Sequence, residues 1–266
     1  MSERARRLLA VVPLVLVALA SSAFVLVSDR SPSRLELERA WAHPSAAYPL
    51  GSGEAGVDLL ALVSHATARA LLLAGIVALI GLLVGTPLGA LAGLVRGRAE
   101  RITARACDLV QAFPSFLLAL AVLAAVRTPS RVHIGAVFCL TAWAPFARLA
   151  LVQARVLADA QFVDAARAIG ASRARVVLRH VLPNLFGPVA VQLGASAAGV
   201  VLGETALGFV GLGPRDGVSL GALLEQGVVS MLRAPHVLAV GAVAVVLVSA
   251  SLQLASEGLR AAFAHR

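Results

Sequence analysis

The chain is a succession of apolar runs of about twenty residues, each nearly free of charge and parted from the next by a polar segment. A helix of that length spans the hydrocarbon core of a bilayer, and a backbone inside lipid must satisfy its own N–H and C=O groups. The runs predict an all-α polytopic membrane bundle of about six transmembrane helices, near residues 8–27, 70–95, 109–126, 132–152, 185–207 and 236–255. Composition agrees, with 59% hydrophobic and only 14% charged residues, where a soluble domain is usually about a quarter charged. The first run, behind Arg4, Arg6 and Arg7, has a rival reading as a signal peptide cleaved after Ala18-Leu19-Ala20. Its apolar stretch is long for a signal core, which favours a true span.

All 23 basic residues are arginine, and they set the net charge of +9. In so apolar a chain this reads as topology and not as nucleic-acid binding. With the N-terminus inside, fourteen arginines fall on inner segments, including Arg96, Arg98, Arg101 and Arg105, against eight on outer ones. The positive-inside rule then places both termini in the cytoplasm. The absence of lysine excludes an ordinary Walker A site, which needs a lysine to reach the terminal phosphates of a nucleotide, and also a Schiff base. No HExxH or GxSxG motif occurs, so no catalytic constellation is visible and an enzyme is not expected. Cys107 and Cys139 lack metal spacing and read as small packing residues.

Residues 1–69 are expected to hold the first span and a long outer loop with a short helix near 57–67, and residues 70–266 the core. In the second span Gly81, Gly85, Gly89 and Gly93 recur every fourth residue and stack on one face, the spacing that lets another helix approach closely. Pro114 is expected to kink the third span. Pro145 and Arg148 interrupt the fourth, and a Gly/Pro loop joins the fifth to the sixth. Gln111, Gln153, Gln192 and Gln253 are expected to hydrogen-bond between helices. Arg148 is expected to snorkel to the inner interface, with pairing to Asp159 as an alternative. His43, His65 and His236 fall on the outer side, too scattered to favour a metal site over solvated or packing roles.

Between spans four and five lies a polar, arginine-bearing island, residues 159–183, placed in the cytoplasm by the charge count. Asp159 can cap a helix beginning near Ala160, Asp164 suits the positive end of its dipole, and Asp164 can pair with Arg167. Phe162, Ala165, Ala166 and Ile169 form an apolar stripe. Gly170 stops this helix, since glycine takes the left-handed conformation cheaply. Ser172 can cap a second helix, in which Arg175 and Arg179 repel weakly, and Pro183 ends it. An interfacial helix on anionic headgroups is the bland reading. The slim, alanine-rich, glycine-terminated first helix fits a knob for a protein partner better.

In these residues the chain resembles a known family. Asp164-Ala165-Ala166, Gly170 and, after nine residues, His180-Val181-Leu182-Pro183 resemble the EAA motif of ABC importer permeases. His180 to Asn184 looks like the dipeptide, oligopeptide and nickel branch. Tyr48-Pro49-Leu50-Gly51-Ser52 and Gly56-Val57-Asp58 resemble that branch's outer-loop signature. Gly203-Glu204-Thr205 through Phe209-Val210-Gly211-Leu212-Gly213 and Glu257-Gly258-Leu259-Arg260 resemble later segments. A single span before a long outer loop looks like the C-type subunit of the permease pair. Asp164 replaces the motif's glutamate. Val57 and Leu62 stand where the branch has arginines, and Leu220 where it has a tryptophan.

The resemblance implies a type I importer permease of the bacterial inner membrane. It would work with a second permease subunit, two ATPase subunits carrying ATP and Mg, and an external solute-binding protein, and hold no cofactor itself. The solutes would be peptides or similarly small molecules. Asp164, Ala165, Ala166, Gly170, Arg175, His180, Leu182 and Pro183 would form the ATPase-coupling surface, with Glu204 and Phe209 at the pathway or outer gate. The alternative is a stand-alone secondary transporter with Glu204 as its ion-coupling site, since intramembrane carboxylates are costly and often functional.

Overall fold

The computed structural model describes residues 10–126, 128–214 and 218–263. Arg4, Arg6, Arg7, Arg127, Arg215 and Arg266 lie outside them, as does the start of the first predicted span. Helices dominate the described residues. α1 (Val12–Val27), α2 (Leu59–Val95), α3 (Gly97–Ala112), α4 (Ser115–Ala125) and α5 (Arg131–Leu157) precede the island. The island holds α6 (Gln161–Ala168), α7 (Arg173–Val176), a π-helical turn (Val177–Val181) and α8 (Leu182–Asn184). α9 (Phe186–Phe209), α10 (Leu220–Val229) and α11 (Pro235–Phe263) follow.

Among the described residues four helices, α2, α5, α9 and α11, are long and apolar enough to cross a membrane. The pair α3–α4, bent by 63° at its break, is long and apolar enough only when taken together, as a broken span or a re-entrant segment, and α1 is a shorter apolar helix of 16 residues. The expected third span is therefore not one straight helix: an amphipathic helix occupies what reads in sequence as a basic loop, and the chain bends before α4. The break falls at Phe113–Pro114, where a proline disfavours helical backbone at the residue before it.

The short helix expected near 57–67 and the second span are one helix. At 37 residues, α2 is roughly 55 Å long, well beyond a bilayer core of about 30 Å. Asp58 starts it, accepting from the Leu60 N–H at 2.8 Å. α5 runs through Pro145 without interruption, as membrane helices allow when neighbours support the freed carbonyl. The expected Gly/Pro loop before the last span contains α10, capped by Ser219, whose hydroxyl accepts from the Ala222 N–H.

The four-glycine face of α2 packs directly on the backbone of α5. A Cβ at Gly81, Gly85, Gly89 or Gly93 would lie 2.8, 2.2, 2.0 or 2.4 Å from the carbonyl oxygens of Ala142, Trp143, Ala147 and Leu151. No side chain fits at such distances. The partner index rises with the glycine index, so the two helices run parallel. The two larger apolar clusters among the described residues form on them. One gathers Leu59, Leu123, Ile134, Val201, Leu207 and Leu223 around the middle and outer parts of the bundle. The other joins Ala90, Leu94, Phe146, Ala150 and Ala154 to the island. Val57, Leu62 and Leu220 all belong to or pack on the first core, which accounts for apolar residues where the branch pattern is charged or aromatic.

Outside the bundle the loop before α2 is tied by its own polar residues. Arg30 donates to Asp58 at 2.7 Å, Tyr48 donates its hydroxyl to Glu36 at 2.8 Å, and Arg39 donates to Tyr48 at 2.9 Å. That last bond, with the nearby Glu36 carboxylate, pushes the Arg39 guanidinium further up.

Candidate functional site

The island folds as two short helices on the end of the bundle. α6 buries Val163 and Ala166, and the next segment buries Val176, Val177 and Val181. All five sit in the second core with Leu94, Phe146 and Ala154. The island is thus bolted to α2 and α5 by valines and alanines.

The residues facing away are of a different kind. Ile169 is 87% exposed and Leu178 65%, and Phe162, Asp164, Ala165, Gly170, Arg175 and Pro183 are exposed around them. The predicted stripe therefore divides: Ala166 turns inward, while Phe162, Ala165 and Ile169 stay uncovered. Val163 takes the buried role that the stripe did not assign to it. Asp164 pairs with Arg167 at 3.5 Å. The half-buried His180 ring lies 6.2 Å from the Phe162 ring, bridging the two parts of the island. Leu182 packs against the second core.

Gly170 has φ +84° and nothing within 4 Å of a would-be Cβ. The Gly170 N–H donates to the Arg167 carbonyl at 2.9 Å and the Ala171 N–H to the Ala166 carbonyl at 3.0 Å, the paired bonds of a Schellman C-cap. Ser172 accepts from the Arg175 N–H at 3.3 Å. Two local expectations are corrected. Asp159 makes no cap: Ala160 is the N-cap of α6, with no side-chain bond. Pro183 does not end the second helix: the chain passes through a π turn into α8, and the break before α9 comes at Leu185. Proline lacks the N–H that an α-helical ladder needs, and π turns are one way a helix absorbs such a defect. The Asn184 amide donates to the His180 carbonyl at 2.6 Å.

Sequence reading missed the ionic seam that holds this end of the bundle. Arg96, at the end of α2, donates to Asp159 at 2.5 Å and to the Arg155 carbonyl at 3.1 Å. Arg155 pairs with Glu100 at 3.0 Å, and Arg148 pairs with Asp108, not with Asp159. Across α3 and α5 one index rises by eight, from Glu100 to Asp108, while its partner falls by seven, from Arg155 to Arg148. That is the register of antiparallel helices, and this complementary spacing is the signal that could have found it. The Asp159 hydrogen bond pushes the Arg96 guanidinium further up.

At the other end of the bundle, Glu204 is 4% exposed and engaged inside it, late in α9. Phe209 is the last residue of α9 and is 41% exposed. The end of α9 packs on the start of α10 at Gly208 and Gly221, where a Cβ on Gly221 would lie 2.1 Å from the Thr205 carbonyl oxygen. Glu204 and Phe209 therefore share a helix end but not an environment. The four glutamines Gln111, Gln153, Gln192 and Gln253 make no side-chain hydrogen bond among the described residues, so the expected interhelical bonds are not formed. Gln111 and Gln192 instead line one groove. The His43 and His236 rings meet at a tilt of 46° with centroids 5.4 Å apart, and no group of three metal-ligating side chains occurs among the described residues.

Residues 85–266 match the family of the binding-protein-dependent transport system inner membrane component. The chain is 33% identical over 251 residues to the glutathione transport system permease protein GsiD of Pectobacterium atrosepticum, covering 93% of this chain and 82% of that protein. It is 30% identical over 251 residues to the probable D,D-dipeptide transport system permease protein DdpC of Escherichia coli, covering 94% and 83%. It is 31% identical over 222 residues to the oligopeptide transport system permease protein OppC of Mycobacterium bovis, covering 82% and 75%. The matched region runs from the glycine face of α2 through the island to α11, and the spans place it in a membrane. The chain belongs to the family of binding-protein-dependent transport system inner membrane components, and it is an inner-membrane ABC importer permease, one part of a multi-subunit transport system.

Proposed function

We propose that this permease forms half of the path for peptides or similarly small amide-bearing solutes, and that α6 to α8 is the surface through which separate ATPase subunits drive it. One observation carries the coupling role. The island presents Phe162, Ile169 and Leu178 outward while Val163, Ala166, Val176, Val177 and Val181 fix it to α2 and α5. A partner gripping the outer side chains would move both helices with it, because the glycine face leaves those helices no room to slide independently. Asp164, Ala165, Gly170 and Arg175 lie on the gripped side, and His180, Leu182 and Pro183 shape the return to α9. The solute class is supported by relatives named for glutathione, D,D-dipeptide and oligopeptide transport.

The working assembly would comprise this chain, a second permease, two ATPase subunits and an external solute-binding protein. ATP and Mg would bind the ATPases, consistent with a chain that has no lysine for a Walker A site. The arginine balance supports cytoplasmic termini. Family membership leaves no role for a stand-alone secondary transporter driven through Glu204.

The test is Gly170→Pro in the reconstituted importer. Proline cannot take φ +84°, so α6 would lose its C-cap while its buried anchors remain. The expected result is an assembled complex that no longer couples ATP hydrolysis to uptake. Normal ATP-driven uptake by this variant overturns the coupling assignment.

A further inference from the structure

Two cavities open on the same side of α9. The inner one, about 750 Å³, lies between the island's exit at Pro183 and Asn184, the start of α9, and Glu257 and Arg260 near the end of α11. The second, about 400 Å³, lies deeper in the bundle, between the α3–α4 break at Phe113–Pro114, Phe138 and Thr141 of α5, and α9. Gln192 is the single residue that lines both.

The face of α9 that bounds them runs Pro188, Gln192, Ala195, Ser196, Gly199, residues three or four apart and so stacked along one side. Ala195, Ser196 and Gly199, which follow Gln192 on that stripe, are small, so on this face of α9 its side chain is the polar projection shared by the two cavities. Its amide has no hydrogen-bond partner among the described residues, and neither does that of Gln111 in the deeper groove. Gln111 is exposed and Gln192 half-buried at these openings, so both amides are available to a polar group that enters the groove. The charges are partitioned: Glu257 and Arg260 stand at the inner chamber, whereas the polar groups of the deeper groove are Gln111, Ser115, Thr141, Gln192 and Ser196, none of them charged. Glu204 lines neither cavity.

We propose that Gln192 is the constriction of the solute path, a neutral hydrogen-bonding gate between the inner chamber and the deeper groove. This inference rests on the reading of the chain as half of a solute pathway. A solute rich in amide groups exchanges its water for the Gln192 and Gln111 side chains and the nearby hydroxyls, which donate and accept without imposing a charge preference. A carboxylate or ammonium at that point would trap one sign of solute and repel the other.

The test uses the complete importer in proteoliposomes, with Cys107 and Cys139 replaced by serine and a reporter thiol placed beyond the gate by Ser196→Cys. The probes are membrane-impermeant thiosulfonate reagents of similar size, one cationic and one anionic, added from the cytoplasmic side without nucleotide. With Gln192 in place, labelling is expected to be slow and to differ little between the two reagents. Gln192→Ala is expected to speed both at least tenfold. Gln192→Glu is expected to favour the cationic reagent at least tenfold. Gln192→Cys with Ser196 intact is expected to label readily, because it faces the inner chamber. Equal Ser196→Cys rates in all three backgrounds, or a Gln192→Cys that does not label, overturn the gate. ATP-driven uptake by the unmodified complex is measured alongside: its absence sinks the importer reading, whereas normal uptake with unchanged labelling rates sinks only the gate.

Discussion

Arg96 and Asp159, 63 positions apart, meet at 2.5 Å and join the end of α2 to the linker that leads into α6. The same guanidinium reaches the Arg155 carbonyl at the end of α5, so one side chain links both long helices to the island. The pair is open to solvent, with side-chain exposures of 42% and 71%. Exposed ion pairs contribute little to stability. The contact's value is therefore positional: it fixes where α6 begins.

Reversing Asp159 should separate position from stability. In Asp159→Arg the melting temperature and subunit assembly are expected to stay near those of the unmodified protein, while uptake per ATP hydrolysed falls several-fold. The double reversal with Arg96→Asp should recover most of the lost coupling. A single reversal that leaves the uptake-to-hydrolysis ratio unchanged would show that the pair does not position the island.

The glycine face makes a sharper stability prediction. A Cβ at Gly89 would sit 2.0 Å from the Ala147 carbonyl oxygen, backbone that cannot rotate away. Gly89→Ala is expected to force α2 and α5 apart and to cost about 1–3 kcal/mol, the usual range for overpacking. Gly75 lies on the same helix with nothing within 4 Å of its would-be Cβ. There alanine should be neutral or better by up to about 1 kcal/mol, from helix propensity alone. Thermal unfolding of the two variants in the same detergent makes the comparison, and equal shifts would contradict direct backbone packing.

The contrast between those glycines shows what the sequence makes legible. Apolar runs and a four-residue glycine repeat are local patterns, and the four long spans among the described residues and the α2–α5 contact follow from them. The continuity of α2 through residues 59–69 does not. Ser64, His65, Thr67 and Arg69 look like loop residues, yet Ser64 and Thr67 are buried at 8% and 4% exposure. Their polarity is tolerated because the outer end of the helix lies against protein. α3 was hidden for a related reason: its arginines resemble a loop until Glu100 and Asp108 are matched with Arg155 and Arg148 across the fold. At the island the caps at Gly170 and Ser172 were readable because they are short-range. The choice of Val163 over Ile169 for burial was not, since it depends on how α6 is rotated against a core built from distant helices.

Asp58 offers a test at the opposite end of α2. One carboxylate oxygen accepts from the Leu60 N–H at 2.8 Å and the other from Arg30 at 2.7 Å. Asp58→Ala removes the helix cap and is expected to cost about 0.5–2 kcal/mol. Asp58→Asn keeps the capping oxygen and loses the ion pair, so it should cost less. Arg30→Ala, which leaves the cap intact, should cost less than Asp58→Ala. Thermal melts of the three variants give the ranking, and an Asn variant as unstable as the Ala variant would assign the stabilisation to Arg30 instead of the cap.

The two faces of α6 give the last prediction. Val163 in α6 is fully buried, and Ile169, six residues on at the C-cap of that helix, is 87% exposed. Removing apolar surface from the outer face should cost a docking partner its grip while sparing the fold. Ile169→Ala is therefore expected to leave thermal stability unchanged and to weaken retention of the ATPase subunits on purification, with Phe162→Ala adding to the loss. Val163→Ala should behave oppositely. Truncation inside the second core is expected to cost on the order of 2 kcal/mol and to lower the melting temperature of the isolated permease, with or without the ATPase. If Ile169→Ala destabilised the isolated permease and retained the ATPase fully, the assignment of the two faces would be reversed.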